Sequence, residues 1–144
     1  MDAWERLARR GIYPELHLTV SDLSPQLGAK LERVRALGGR IINHGFTEVA
    51  KIYQNCGYQI YPSLMESFGL GLIEAAEAGC AVLASELPFV HQVVRPFSTF
   101  DPKSPAQIEE VVLLTYGKQV EPSSVIVKNR LLCLVDWIRN GVKT

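Results

Sequence analysis

A doubly wound α/β fold, with a parallel sheet covered by helices on both faces, is what this sequence predicts. Short strand-type runs alternate with helical segments along the chain, and such alternation builds βαβ units, because parallel strands need a crossover between them. Two helices announce their starts with the same dipeptide, Ser24-Pro25 and Ser104-Pro105. In each, a capping hydroxyl precedes the residue best suited to the first helical position. A hydrophobic fraction of 47% beside 21% charged residues belongs to a globular domain with a real core.

In order, Asp2 caps a first helix ending near Gly11, and Glu15–Val20 alternates polar and apolar residues as a strand. Ser24 and Pro25 open a helix to Leu37, which Gly38-Gly39 stops. Arg40–Asn43 is a strand, Thr47–Gln54 a capped helix, and Gln59–Tyr61 a short strand that Pro62-Ser63 breaks, since proline has no N–H for a ladder. Leu70–Ala78 is a helix with Gly79 as the left-handed residue beyond its end, and Ala81–Ala84 begins the next strand. Pro88–Val94 is helical, Ser98–Phe100 is the last strand, and Ser104-Pro105 starts a helix to about Tyr116. Gly117–Pro122 then links to a final helix from Ser123 or Ser124 to Asn140, whose apolar stripe at Ile126, Leu131, Leu134, Val135 and Ile138 is explained by core packing. This divides the chain into an α/β domain over residues 1–118 and, over 119–144, a link and C-terminal helix packed on that domain.

With 144 residues the chain is one ordinary domain. Fifteen Lys and Arg balance fifteen Asp and Glu, so net charge gives no argument for nucleic acid or an anionic membrane as partner. The opening MDAWERLARRG lacks the apolar run of a signal peptide, and no apolar stretch approaches the roughly 18–20 residues that span a bilayer. A cytoplasmic protein without a transmembrane segment is expected. Cys56, Cys80 and Cys133 are odd in number, far apart, and outside any CxxC or Cys/His cluster. They read as reduced, buried thiols, and no metal is expected.

The chemistry concentrates in Tyr61–Ala84, YPSLMESFGLGLIEAAEAGCAVLA. The N–H groups of Phe68, Gly69, Leu70 and Gly71 fall at a helix N-terminus, where unpaired donors and the helix dipole favour an anionic phosphate. Glu66 precedes these donors and Glu74 follows them by about one turn. Ionised carboxylates accept hydrogen bonds from hydroxyls, so one is suited to a sugar and the other to a ribose on either side of a diphosphate. Every candidate site residue follows a strand, as expected of open parallel sheets, whose ligands bind beyond the strands' carboxyl ends. Gly69-Leu70-Gly71 also begins a GxGxx pattern, but its third small position is Glu74 and the strand ends several residues earlier, which makes it a poor dinucleotide fingerprint. No GxxxxGK occurs. Glu77 reads as a solvated residue, His17 as a packed or edge histidine, and His44 lies at a strand end facing the expected cleft.

The block E-S-F-G-L-x-L-I-E-A, followed by A-x-x-x-G-x-x-V-L-A-S, resembles the E-x7-E donor motif of retaining glycosyltransferases of family four, which have the GT-B fold. Glu66 and Glu74 fall on its two acidic positions. The likeness extends upstream through ELHLTV and IINHGFTEVAKIY and downstream through ASELPFVHQVV and TFDPKSPAQIEEVV, covering about Glu15 to Leu114. What it implies is a Rossmann-like domain forming one half of a GT-B architecture, in an enzyme of polysaccharide biosynthesis that takes a nucleotide sugar as substrate and needs no cofactor or metal. By resemblance Glu66 is the catalytic residue and contacts the donor sugar. Ser63, Phe68, Gly69, Leu70 and Gly71 complete the sugar and diphosphate site, Glu74 takes the ribose, and Gly45 and Phe46 lie near the base.

Members of that family usually begin this domain with a strand followed by an Arg and, a few residues later, a Lys that neutralise the departing diphosphate. No segment before Glu15 matches that strand and pair. Gly71 stands where a proline is common, and Gln92 where the family carries a glutamate. The expectation is therefore a donor-binding half, lacking its first strand, inactive alone and completed by an N-terminal acceptor domain or a partner chain. An open sheet edge of that kind invites pairing, and a homodimer is expected. The alternative is a non-catalytic module, a remnant of such an enzyme that binds a nucleotide or a protein.

Overall fold

The computed structural model describes residues 1–127 and gives a mixed α/β domain whose main strands are parallel. The elements are α1 (Asp2–Arg9), β1 (Leu16–Leu18), α2 (Pro25–Ala36), β2 (Ile41–Asn43), α3 (Val49–Tyr53), β3 (Tyr58–Tyr61), α4 (Leu70–Glu77), β4 (Ala81–Ser85), α5 (Pro88–Val93), β5 (Val94–Arg95), β6 (Ser98–Phe100), α6 (Pro105–Thr115) and β7 (Ser124–Val125). The expected α/β class holds. Both Ser-Pro starts also hold: Ser24 Oγ accepts from the Leu27 amide at 3.2 Å and Ser104 Oγ from the Gln107 amide at 3.3 Å. Gly79 is left-handed, with φ +88°.

Four local expectations are corrected. Asp2 is the first residue of α1 instead of its cap, and its carboxylate pairs with Lys30 of α2. Thr47 does not cap α3, which starts only at Val49 behind an uncapped Glu48. The strand read as Glu15–Val20 narrows to Leu16–Leu18, because Asn43 takes Val20 out of the ladder by bonding both its N–H and its C=O. No helix starts at Ser123 or Ser124. Ser124–Val125 pairs antiparallel with Val94–Arg95, and the buried Ser123 hydroxyl accepts from the Val82 amide at 2.9 Å. Tertiary pairing overrides local propensity there. The remainder of the expected C-terminal helix lies outside the described residues.

The parallel strands form two ribbons. β1 pairs with β2, and β3, β4 and β6 pair in that order. β4 is the centre of the second ribbon and is buried along its whole length. Its alternation feeds two cores, as a strand covered on both faces requires. Val82 and Ala84 join Leu72, Ala75, Val90, Val93 and Val94 beneath α4 and α5. Leu83 turns the other way to meet Phe100 and Val111 of α6. Burying side chains of this size stabilises by roughly 1.5–3 kcal/mol each.

No ladder joins β1 to β3 among the described residues. Helices bridge them instead. Trp4 and Leu7 of α1, Leu31 and Val34 of α2, Ile41 of β2 and Val112 of α6 form one core, against which Leu16 and Leu18 of β1 and Ile60 of β3 also pack. Glu109 of α6 fixes the junction by accepting from Arg6 of α1 and, at 2.7 Å, from Arg10 just beyond that helix. Arg10 first, and Arg6 after it, hold the Glu109 carboxyl below its ordinary range, against the burial that pushes it up.

Candidate functional site

The loop Pro62–Gly69 leaves the carboxyl end of β3 and enters α4. It is tied down from two sides. Ser85, buried at the end of β4, donates its hydroxyl to the carbonyls of Ser63 at 2.8 Å and Tyr61 at 3.2 Å. Ser63 in turn donates to Met65 O at 3.0 Å and to Glu66 Oε1 at 3.2 Å. The Glu66 carboxylate is thus aimed by the Ser63 hydroxyl, and Ser85 of the adjacent strand β4 holds the Ser63 backbone in place.

Gly69 opens α4 in the left-handed region, φ +71° and ψ +37°. A Cβ there would meet Leu72 Cδ1 at 3.2 Å, so both backbone sterics and packing select glycine. Its carbonyl accepts from Leu72 and Ile73, while the amides of Phe68, Gly69, Leu70 and Gly71 find no acceptor among the described residues. Four donors at the positive end of a helix dipole therefore lie between Glu66, which is half-buried, and Glu74, which is exposed on α4. Neither carboxylate forms an ion pair among the described residues.

Three contributors escaped the sequence reading. Tyr61 lies beside Glu66, and its phenol is pushed up, first by burial and then by a hydrogen bond to that carboxylate, so it stays a neutral donor. Gln59, two residues earlier and so on the same side of β3, donates to Tyr53 Oη at 2.7 Å and to Gly71 O at 2.9 Å. Ser85 is the third. The available signal was the polar pair Gln59 and Tyr61 at alternate positions of a strand meant to be covered on both faces. These contacts also account for Gly71: a Cβ would stand 3.2 Å from Tyr61 Cε2 and 3.7 Å from Gln59 Nε2.

Gly45 and Phe46 sit in the loop after β2, on the other ribbon. Gly45 is left-handed, φ +64°, and its amide donates to Asn43 Oδ1 at 3.3 Å. Phe46 is 95% exposed. Among the described residues no hydrogen bond joins this pair to Ser63–Glu74, which are brought together. The His44 ring stacks on His17, with Nε2 2.8 Å from His17 Nδ1, while His17 Nε2 lies 2.9 Å from Glu15. His17 is thus an edge histidine in a polar row.

Among the described residues no group of three or more His, Cys, Asp or Glu is arranged to hold a metal ion. No described helix is long and apolar enough to cross a membrane.

Parallel strands whose carboxyl ends carry a glycine-started helix and a fixed carboxylate place this molecule among Rossmann-like α/β domains. The family described as "Glycosyl transferases group 1" matches residues 1–129, and the chain belongs to that family. Its general chemistry is sugar transfer, with a nucleotide sugar as the class of donor. A search of curated proteins returned no match.

Proposed function

We propose that this chain is the donor-binding half of a retaining family-four glycosyltransferase, the C-terminal domain of a GT-B architecture. The observation that carries the reading is the row of four amides at the start of α4 that find no acceptor among the described residues, flanked by Glu66 and Glu74. In this reading the Phe68–Gly71 amides bind the diphosphate, Glu66 with Ser63 orients the donor sugar, Glu74 accepts from the ribose hydroxyls, and Gly45 and Phe46 border the base. The reaction breaks the bond between the sugar's anomeric carbon and the diphosphate oxygen, which leaves with the electron pair. The acceptor hydroxyl forms the new bond, and its proton passes to the departing diphosphate oxygen.

The chain alone binds but does not turn over. The site described holds no Arg or Lys to meet the departing diphosphate, and fixed positive charge there contributes on the order of several kcal/mol to such a step. An acceptor domain, in the same polypeptide or on a partner chain, must also position the hydroxyl, and positioning accounts for a large share of barrier lowering. A homodimer is a further part of this proposal.

Calorimetry at fixed salt tests the site. Nucleoside diphosphates should bind weakly, and Glu74→Ala should lower affinity tenfold or more, since hydrogen bonds to a charged acceptor contribute roughly 1.5–3 kcal/mol each. Equal affinity in the mutant sinks the ribose role.

A further inference from the structure

We propose that the pair His17 and His44 is a proton-operated latch on the loop that carries Gly45 and Phe46, closed while at least one of the two imidazoles is neutral and released when both are charged. Through that loop the latch makes nucleotide affinity fall in mild acid, a consequence that rests on the reading given above, in which Gly45 and Phe46 border the base.

The pair ends a polar row across the β1–β2 ribbon. Arg40, just ahead of β2, pairs with Glu15, just ahead of β1. Glu15 Oε1 lies 2.9 Å from His17 Nε2, and His17 Nδ1 lies 2.8 Å from His44 Nε2. An ionised carboxylate only accepts, so His17 Nε2 carries a hydrogen. In neutral His17 the other nitrogen, Nδ1, is then bare and accepts from His44 Nε2–H. That leaves His44 Nδ1 bare in turn, and a first extra proton placed there keeps the bond. A second proton has only His17 Nδ1 to go to. It removes the acceptor and sets two N–H groups and two positive charges against each other at a spacing of 2.8 Å. Imidazoles take up such protons between pH 5 and 8.

The surrounding charges act on the His17 end. Glu15 and Arg40 belong to the row itself. At the end of α3 the Cys56 thiol is pushed up by burial first and by Glu15 second, while Glu48 and Lys51 bind each other. On α2, Arg35 is bound to Glu32 and to Ile41 O. Among the described residues no carboxylate pairs with His44, and Asp22 in the loop after β1 pairs with no base.

The loop beyond His44 has few other ties. The His44 amide donates to Leu18 O at 2.8 Å and the Gly45 amide to Asn43 Oδ1 at 3.3 Å. Nothing lies within 4 Å of a Cβ placed on Gly45, and Phe46 is 95% exposed. α3 begins at Val49 with no capping side chain and no buried residue. Losing the ring contact therefore frees a segment that packing does not hold.

NMR and calorimetry on this chain test the latch. At pH 7.5 the imidazole nitrogens should show His17 protonated at Nε2 and bare at Nδ1. Between pH 7.5 and 5 the Gly45 and Phe46 amide signals should move to a second position, with order parameters dropping below about 0.6. His44→Gln, whose amide can donate to His17 Nδ1 or accept from it, should keep the closed loop throughout. His44→Ala should show the released loop already at pH 7.5. A loop that does not respond to pH in wild type, one that responds equally in His44→Gln, one still closed in His44→Ala, or His17 protonated at Nδ1 and bare at Nε2 at pH 7.5 overturns the proposal. Over the same pH range the affinity for uridine or adenosine diphosphate should fall about threefold further in wild type than in His44→Gln, a comparison that cancels protonation of the nucleotide itself. Equal falls overturn the coupling. Absence of diphosphate binding by both proteins at pH 7.5 overturns the donor-site reading instead, and the loop titration still decides the latch.

Discussion

Glu109 is where the two ribbons are held together, and replacing it with glutamine measures how strongly. Its side chain is 5% exposed and receives both Arg6 and Arg10, which are 54% and 55% exposed. A hydrogen bond to a charged group contributes roughly 1.5–3 kcal/mol, but arginines this open regain hydration when released, which cuts the two bonds to a joint loss of about 1.5–3 kcal/mol. For a chain of this size that lowers the melting temperature by roughly 4–10 °C. The measurement is thermal unfolding followed by circular dichroism, for both proteins, from pH 7 into acid.

The pH dependence has a definite sign. The Glu109 carboxyl is held below its ordinary value of 4.5, so the unfolded chain takes up the proton first as pH falls. The contribution is complete above that ordinary value and disappears as pH drops through the lower, folded-state one. The gap between wild type and Glu109→Gln should be full at pH 7 and close in acid. Melting temperatures within 2 °C of each other at pH 7, or a gap that widens in acid, would refute the role given to this clamp.

Two glycines give opposite outcomes on substitution. Gly28, inside α2, has nothing within 4 Å of an added Cβ, so Gly28→Ala should stabilise by about 0.5–1 kcal/mol in chemical denaturation. Gly71→Ala forfeits that gain, because its Cβ would push on Tyr61, and it should weaken nucleoside diphosphate binding in calorimetry. The Cys80 thiol is fully buried and pushed up to about 11, chiefly by burial and then by Cys56. Iodoacetamide at pH 8 should leave Cys80 unmodified in peptide mass maps until denaturant is added.

The amino-acid sequence alone determined what depends on neighbours along the chain. Ser24-Pro25 and Ser104-Pro105 act through bonds three residues long, Gly79 through its own φ, and the Glu66-to-Glu74 block through the turn of one helix, so all were legible. Weak local signals were not: Thr47 does not cap α3, and nothing near Ser124 announced a strand. That pairing depends on Val94 and Arg95, some thirty residues away in sequence. The same holds at the site. The motif marked Glu66 as a candidate, but only the fold put Ser85 behind Ser63, and Tyr61 against both Glu66 and Gly71. The alternation of elements implied one parallel sheet, whereas tertiary structure decided that β1 and β3 stay apart and that helix packing, with Glu109 at its centre, spans the gap. Sequence order fixes which strands exist and which way they run. Pairing between distant edges is decided by backbone groups whose partners no local pattern specifies.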